Sequence, residues 1–255
     1  MRLVRKAVKP YMFIIYAVLA LVVTVFCLNP YAKAVTVNAR ACGADAIRYI
    51  AWERCRIPCI IWISMSFILI RKDSYNLMEV VLVGDRKKIW KQDVWQVLLY
   101  SLITSVVILV FSLIATYVIY GNNWMNWAAD DSFARTYTKM QVVDYNVISM
   151  VALMWLMYYM QIVTALFIML LGYYYFNNYI VGLIAVIAVG INDMRELSFK
   201  LFFGRFSILR EQWLFLKVKD MYIYIIMLIV LIVLYYTGLY ISRKKEFLDV
   251  EVDKA

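Results

Sequence analysis

The residues that could carry chemistry in this 255-residue chain are few and scattered. There is no histidine, which removes the commonest metal ligand and the usual proton shuttle near neutral pH. The four cysteines, Cys27, Cys42, Cys55 and Cys59, all lie in the first quarter and form no CxxC pair, so neither a zinc site nor a redox pair is indicated. Their spacing leaves a Cys42–Cys55 disulfide open beside the simpler reading of free thiols. The adjacent carboxylates Asp130 and Asp131 have no metal-ligand spacing around them and read as solvated loop charges. Neither a nucleophile elbow nor a GxxxxGK[ST] phosphate loop occurs, so no catalytic residue is assigned and the chain is not expected to hydrolyse ATP itself. One stretch stands apart: GDRKKIWKQDVWQ, residues 84–96, with four basic side chains and two tryptophans between long apolar runs.

Those runs define the elements. The chain is 65% hydrophobic with a mean hydropathy of +0.74, whereas a soluble domain is normally about 45–50% apolar. An integral membrane protein follows. A helix needs about 20 apolar residues to cross a hydrocarbon core of roughly 30 Å. Six spans are expected, at about 11–28, 55–70, 97–120, 147–171, 179–192 and 222–241. The basic start before the first run resembles a signal peptide, but the run is long and no small-residue cleavage site follows. A retained span ending at Asn29-Pro30 is therefore expected. The second run, uncharged only over 57–70, needs a turn or two from the preceding AIRYIAWER. GYYYFNN between the fourth and fifth spans predicts a tight hairpin. Residues 193–220 predict two short amphipathic helices at or dipping into the interface.

Six spans place both termini on one side. With the termini inside, the inner segments hold 14 Lys and Arg and the outer ones 13, so the total favours neither side. The clusters flanking the first, second and sixth spans favour cytoplasmic termini. The apolar runs as drawn, the second of them over 57–70, contain no Asp, Glu, Lys or Arg, which weighs against a membrane enzyme or a proton relay. They do carry mild polarity: Ser101, Thr104, Ser105, Ser112 and Thr116 in the third span, Gln161 and Thr164 in the fourth. Such residues permit close helix contact, or they line a weakly polar pathway; both readings stand. Tyr173, Tyr174 and Tyr175 read as interfacial belt residues.

On a helix, Trp90, Val94, Val97 and Leu98 share one stripe and Lys87, Lys88 and Lys91 another. This predicts an amphipathic helix at the membrane face that runs into the third span, with tryptophans towards lipid and lysines towards a partner. Nucleic acid is a poor partner, because Asp85 and Asp93 dilute the charge. For a net charge of +10, anionic lipid headgroups are the simpler counterpart.

In the order of its parts, the chain resembles the permease subunits of bacterial ABC exporters of the ABC-2 type. Those have a basic lead-in, six spans, a cytoplasmic amphipathic segment between the second and third, a tight hairpin between the fourth and fifth, and short re-entrant helices before the sixth. GDRKKIWKQDVWQVLLYSLI resembles the Arg-Lys-Lys-x-Trp-Lys run of permeases from Gram-positive bacteria. The resemblance implies a coupling helix that docks on a separate ATPase, carried by Arg86, Lys87, Lys88, Trp90 and Lys91, with Glu79 before it. FFGRFSILREQW (202–213) takes the place of the outer helices but lacks the proline common there. It further implies a bacterial plasma-membrane protein that pairs with a second permease copy or paralogue. ATP and Mg would be bound by the partner ATPase, and an amphipathic peptide, lipid or drug would be exported by alternating access, with immunity to an antimicrobial peptide as one use. A non-transporting membrane scaffold or sensor, binding a cytoplasmic partner through residues 79–96, is the alternative.

Overall fold

The computed structural model describes residues 10–72, 86–136, 146–194, 203 and 222–244. Among these the chain is helical, in eight helices: α1 (Pro10–Thr36), α2 (Gly43–Ala51), α3 (Glu53–Lys72), α4 (Arg86–Tyr120), α5 (Phe133–Thr136), α6 (Val147–Phe176), α7 (Tyr179–Met194) and α8 (Tyr222–Lys244). Four of them, α1, α4, α6 and α8, are long and apolar enough to cross a membrane. α3 has the length, but Glu53, Arg54, Arg56, Arg71 and Lys72 all fall within its 20 residues. α7 is apolar but only 16 residues long. The two amphipathic helices expected over 193–220 lie outside the described residues, apart from the end of α7 and Phe203.

α6 is the central helix, packed against α3, α4, α7 and α8 and buried along most of its length. α8 and α1 are peripheral and present large apolar side chains outward, among them Phe13, Ile14, Leu21, Leu228, Ile229 and Val233. In water such a surface would drive association; in a bilayer it meets hydrocarbon. α1 runs parallel to α4, since Cys27 lies by Ser112 and Thr116 while Tyr31 meets Tyr120. One end of the bundle therefore carries Pro10, Lys72, Arg86, Phe176 and Lys244, here called the lysine end. The other carries the loops around residues 37–45 and 121–136.

Several sequence expectations change. α1 does not stop at Asn29-Pro30: it continues to Thr36 with Pro30 inside it. A proline frees carbonyls one turn back, and membrane helices tolerate this when neighbours satisfy them. The Cys27 carbonyl next to that position accepts from Tyr120 Oη at 2.9 Å. AIRYIA does not extend the second span but forms α2, broken from α3 at Trp52, whose ψ of 140° is extended. Cys42 and Cys55 are not bridged: all four cysteines are free and buried. The intervening α2 holds the two roughly 14 Å apart along its axis, and a disulfide needs Cα atoms within about 7 Å. The hairpin is as tight as expected. α6 ends at Asn177, in the left-handed region at φ 57°, and Asn178 Oδ1 caps α7 by accepting from Ile180 N at 2.8 Å.

The end opposite the lysines is closed by a clasp. Arg40 N–H donates to the Asp131 carbonyl at 2.8 Å, Phe133 N–H to Arg40 at 2.9 Å, and Gly43 and Ala44 to Asn123 and Trp124 at 2.9 Å. Beneath it, buried Asp45 reaches back to Cys42 N–H at 3.0 Å, half of a capping box, and accepts from Trp127 Nε1 at 2.8 Å. The Arg40–Asp131 ion pair on top spans 3.0 Å with side chains 80% and 49% exposed. Asp130 and Asp131 are thus paired surface charges, Asp130 with Arg135. Arg40→Ala should change stability by less than about 1 kcal/mol, because exposed pairs contribute little. Trp127→Phe should cost about 1.5–3 kcal/mol, because it strips a buried carboxylate of a donor. Thermal unfolding of the two variants in detergent checks the contrast.

Burial pushes the Asp45 carboxyl above the usual carboxylate range, against the opposing hydrogen bonds from Cys42 and Trp127. A raised folded pKa gives stability that is present in acid and is lost as pH rises through it. The midpoint of unfolding should therefore fall as pH rises from the ordinary carboxylate range towards neutrality. Asp45→Asn should flatten that part of the profile.

Candidate functional site

The first turns of α4 carry the basic stretch, which runs into the third span as the sequence predicts. Arg86–Tyr120 is one continuous helix of 35 residues, roughly 50 Å at 1.5 Å per residue, so it overruns a hydrocarbon core of about 30 Å. Lys87, Lys88, Lys91 and Gln92 are exposed on one face, while Ile89, Trp90, Asp93, Val94 and Val97 are buried on the other. The predicted stripes are present, but the apolar one faces the bundle. Arg86 heads the helix, and Glu79 lies outside the described residues.

Trp90 is fully buried, against the expectation that it faces lipid or a partner. Its ring meets Tyr174 edge-on at 5.2 Å between centroids, with Phe167 at 6.2 Å and Tyr235 at 6.3 Å. It also lies so close to Gly238 that a Cβ there would sit 2.0 Å from the ring. The other tryptophan, Trp95, is 62% exposed. Five residues on a helix rotate about 140° at 3.6 per turn, so the two indoles could not have shared a face. That spacing was readable from the sequence.

Next to Trp90 is a buried polar hub. Arg71 Nη2 lies 2.5 Å from Asp93 Oδ1, with side chains 2% and 5% exposed. Tyr174 Oη donates to Asp93 Oδ2 at 2.8 Å, Arg71 Nε donates to Tyr179 Oη at 3.2 Å, and Arg71 Nη1 donates to Gln96 Oε1. Tyr173 stacks on Tyr179 at 4.3 Å. Ends of α3, α4, α6, α7 and α8 thus converge directly behind the lysine face. Of the three consecutive tyrosines, only Tyr175 is exposed; Tyr174 belongs to the hub. Charged groups so deeply buried persist only when paired and hydrogen-bonded.

Sequence reasoning treated Asp93 as diluting a basic patch and Arg71 as a flanking charge. The uncharged run covers only 57–70, whereas α3 brings the flanking Arg56 and Arg71 inside at 0% and 2% exposure. The signal was the shortness of the uncharged run at 57–70: a helix of useful length had to include its flanking arginines.

The mildly polar residues are all buried. Thr104, Ser105, Ser112 and Thr164 donate to carbonyls three or four residues back, at 2.6–2.9 Å. Thr116 lies 3.9 Å from Cys27 Sγ, Ser101 Oγ has no partner, and Gln161 Nε2 reaches the Phe203 carbonyl at 3.4 Å. Hydroxyls turned back on their own helix are the geometry of close helix contact. A cavity of about 560 Å³ lies between α4 and α6 near the clasp, lined by Leu109, Leu113, Trp124, Val147, Val151 and Trp155 among others. None of the seven polar residues lines it.

Among the described residues no group of three or more Cys, Asp or Glu is placed to hold a metal ion. No protein-family model matches the chain, and neither a curated protein nor a solved structure shows a significant match. The site must be read from its own geometry.

Proposed function

We propose that this chain is the membrane permease subunit of an ATP-driven exporter, docking on a separate ATPase through the exposed lysines of α4. One observation carries the reading. Lys87, Lys88 and Lys91 stand on the longest membrane helix, and the buried face of the same turns is fixed to four other helices through Trp90 and the Arg71–Asp93 pair. A force applied to the lysines is therefore received by the whole bundle rather than by a loose loop.

In this reading α3 and α7 also cross the membrane, giving six spans with both termini cytoplasmic, and the masking of their short or charged lengths comes from burial against α6. ATP and Mg belong to the partner, a second permease copy completes the transporter, and the cargo is amphipathic. ATP-driven closure of the partner would bias the helix dimer between inward and outward states.

The test is co-purification with the candidate ATPase subunit. Reversing charge together at Lys87→Glu, Lys88→Glu and Lys91→Glu should weaken association at least about tenfold, since like-charge juxtaposition costs several kcal/mol, and abolish stimulation of ATP hydrolysis. The apolar stripe behind these residues is untouched, so the fold should persist. Unchanged association in the triple variant would sink the docking assignment. Association without any ATP-dependent cargo movement would favour the scaffold or sensor.

A further inference from the structure

Arg56 is the most enclosed cation in the described structure and has no part in the docking face. It is 0% exposed. Nη1 donates to the Ala51 carbonyl at 2.7 Å and contacts Met157 Sδ at 2.9 Å, and Nη2 donates to the Phe203 carbonyl at 2.8 Å. The first of these bonds caps the C-terminus of α2, a structural task for a basic side chain. That task leaves the charge itself unexplained. The ion pairs among the described residues are Arg40–Asp131, Arg71–Asp93 and Arg135–Asp130, and Arg56 is in none of them. Asp193 on α7 acts on it only from a distance.

Two orphaned atoms share this place. Arg56 Nε is a buried donor without an acceptor, and Gln161 Oε1 is a buried acceptor without a donor. Both side chains touch the same Phe203 carbonyl, Gln161 through Nε2 at 3.4 Å. Turning the Gln161 amide over would set oxygen against oxygen, so its orientation is fixed by that contact. Gln161 falls at the midpoint of α6, far from either end of the bundle. A guanidinium buried there without a direct ion-pair partner is costly and normally marks a functional site. Its Nε–H edge is the side with which arginine grips a carboxylate or phosphate.

We propose that Arg56 and Gln161 form a binding site for an oxyanion that carries a hydrogen-bond donor beside it. The oxyanion takes the Nε–H edge and its donor meets Gln161 Oε1. A phosphate monoester presents both groups at once, and so does an acyl-amino acid, with its carboxylate next to an amide N–H. The site is closed in this conformation, so the occupant enters when α3 parts from α6. The inference does not rest on the export reading.

The experiment is a thermal-shift series on the full chain in a non-ionic detergent. The probes are decyl phosphate, N-decanoylglycine, decanoate, decanol and inorganic phosphate. At about a hundredfold excess over Kd, the first two should raise Tm by about 5–10 °C, decanoate by less, and decanol not at all. A rise with inorganic phosphate identifies a free oxyanion as sufficient; a rise only with the tailed probes identifies an amphiphile. Arg56→Gln should abolish every oxyanion-dependent rise. Should that variant fail to fold, Gln161→Met, close in volume, should erase the advantage of N-decanoylglycine over decanoate. The proposal is overturned by equal shifts for decanol and the acids, by no shift from any probe, or by shifts that survive either substitution.

Discussion

Asp93→Ala is expected to be the most damaging single truncation at the lysine end, lowering stability by about 3–5 kcal/mol, the usual loss when one partner of a buried pair is removed. The carboxylate satisfies Arg71 at 2.5 Å and Tyr174 at 2.8 Å inside the bundle. Its loss removes the carboxylate at 2.5 Å from a guanidinium only 2% exposed, while the bonds to Gln96 and Tyr179 stay in place. Two controls isolate the charge. Tyr174→Phe removes one hydrogen bond to a charged group and should cost about 1.5–3 kcal/mol. Changing Arg71 and Asp93 together to apolar residues of similar volume should cost less than Asp93→Ala alone, because no orphaned charge is left. The four buried thiols supply the measurement, since a thiol-reactive fluorophore labels them as the chain unfolds. A double variant as damaging as Asp93→Ala would mean that packing, and not the unpaired charge, sets the loss.

Gly182→Ala should rival it. A Cβ on Gly182 would sit 2.4 Å from Met169 Cα and 2.8 Å from the Ile168 carbonyl; one on Gly172 would sit 2.6 Å from Gly182 N. These are backbone atoms, so no rotamer change relieves the clash and α7 must move away from α6. Overpacking of this kind typically costs 1–3 kcal/mol, and rigid backbone on both sides puts the expectation at about 3 kcal/mol. The displacement should carry to Tyr179, three residues earlier on α7, and lengthen its 3.2 Å bond to Arg71. The two lesions share a network, so Gly182→Ala combined with Asp93→Ala should fall short of the sum of the single losses. Strict additivity would show that hairpin and hub are independent.

The contrast between these two sites explains what was legible in the sequence. The α6–α7 hairpin was readable because its determinants are local: a short GYYYFNN connection between two apolar runs. The lysine stripe was readable because helical period alone separates Lys87, Lys88 and Lys91 from Trp90 and Val94. The Arg71–Asp93 pair was not, since 22 positions separate the partners and only tertiary packing brings them together. Nor was the direction of Trp90, because an apolar stripe on a membrane helix can face lipid or neighbouring helices equally well. Arg56 escaped for a related reason: the rule that spans exclude charge is relaxed when carbonyls of α2 and Phe203 enclose the guanidinium. Pro30 misled because Tyr120, the partner of the nearby Cys27 carbonyl, is 93 residues from it.

α4 has a mechanical consequence of its own. It is one unbroken rod, with the lysines at one tip and Tyr120, the threshold of the clasp, at the other. Between the tips it packs against α1, α6 and α8, and its lysine tip is tied to the hub through Trp90 and Asp93. A displacement of the lysine tip would therefore be carried along the rod towards Tyr120. From there Gly121–Trp124 pass it through backbone hydrogen bonds to Gly43 and Ala44, and so to α2, at whose far end Ala51 accepts from Arg56. The exposed lysines and the buried guanidinium thus lie at two ends of one continuous series of contacts.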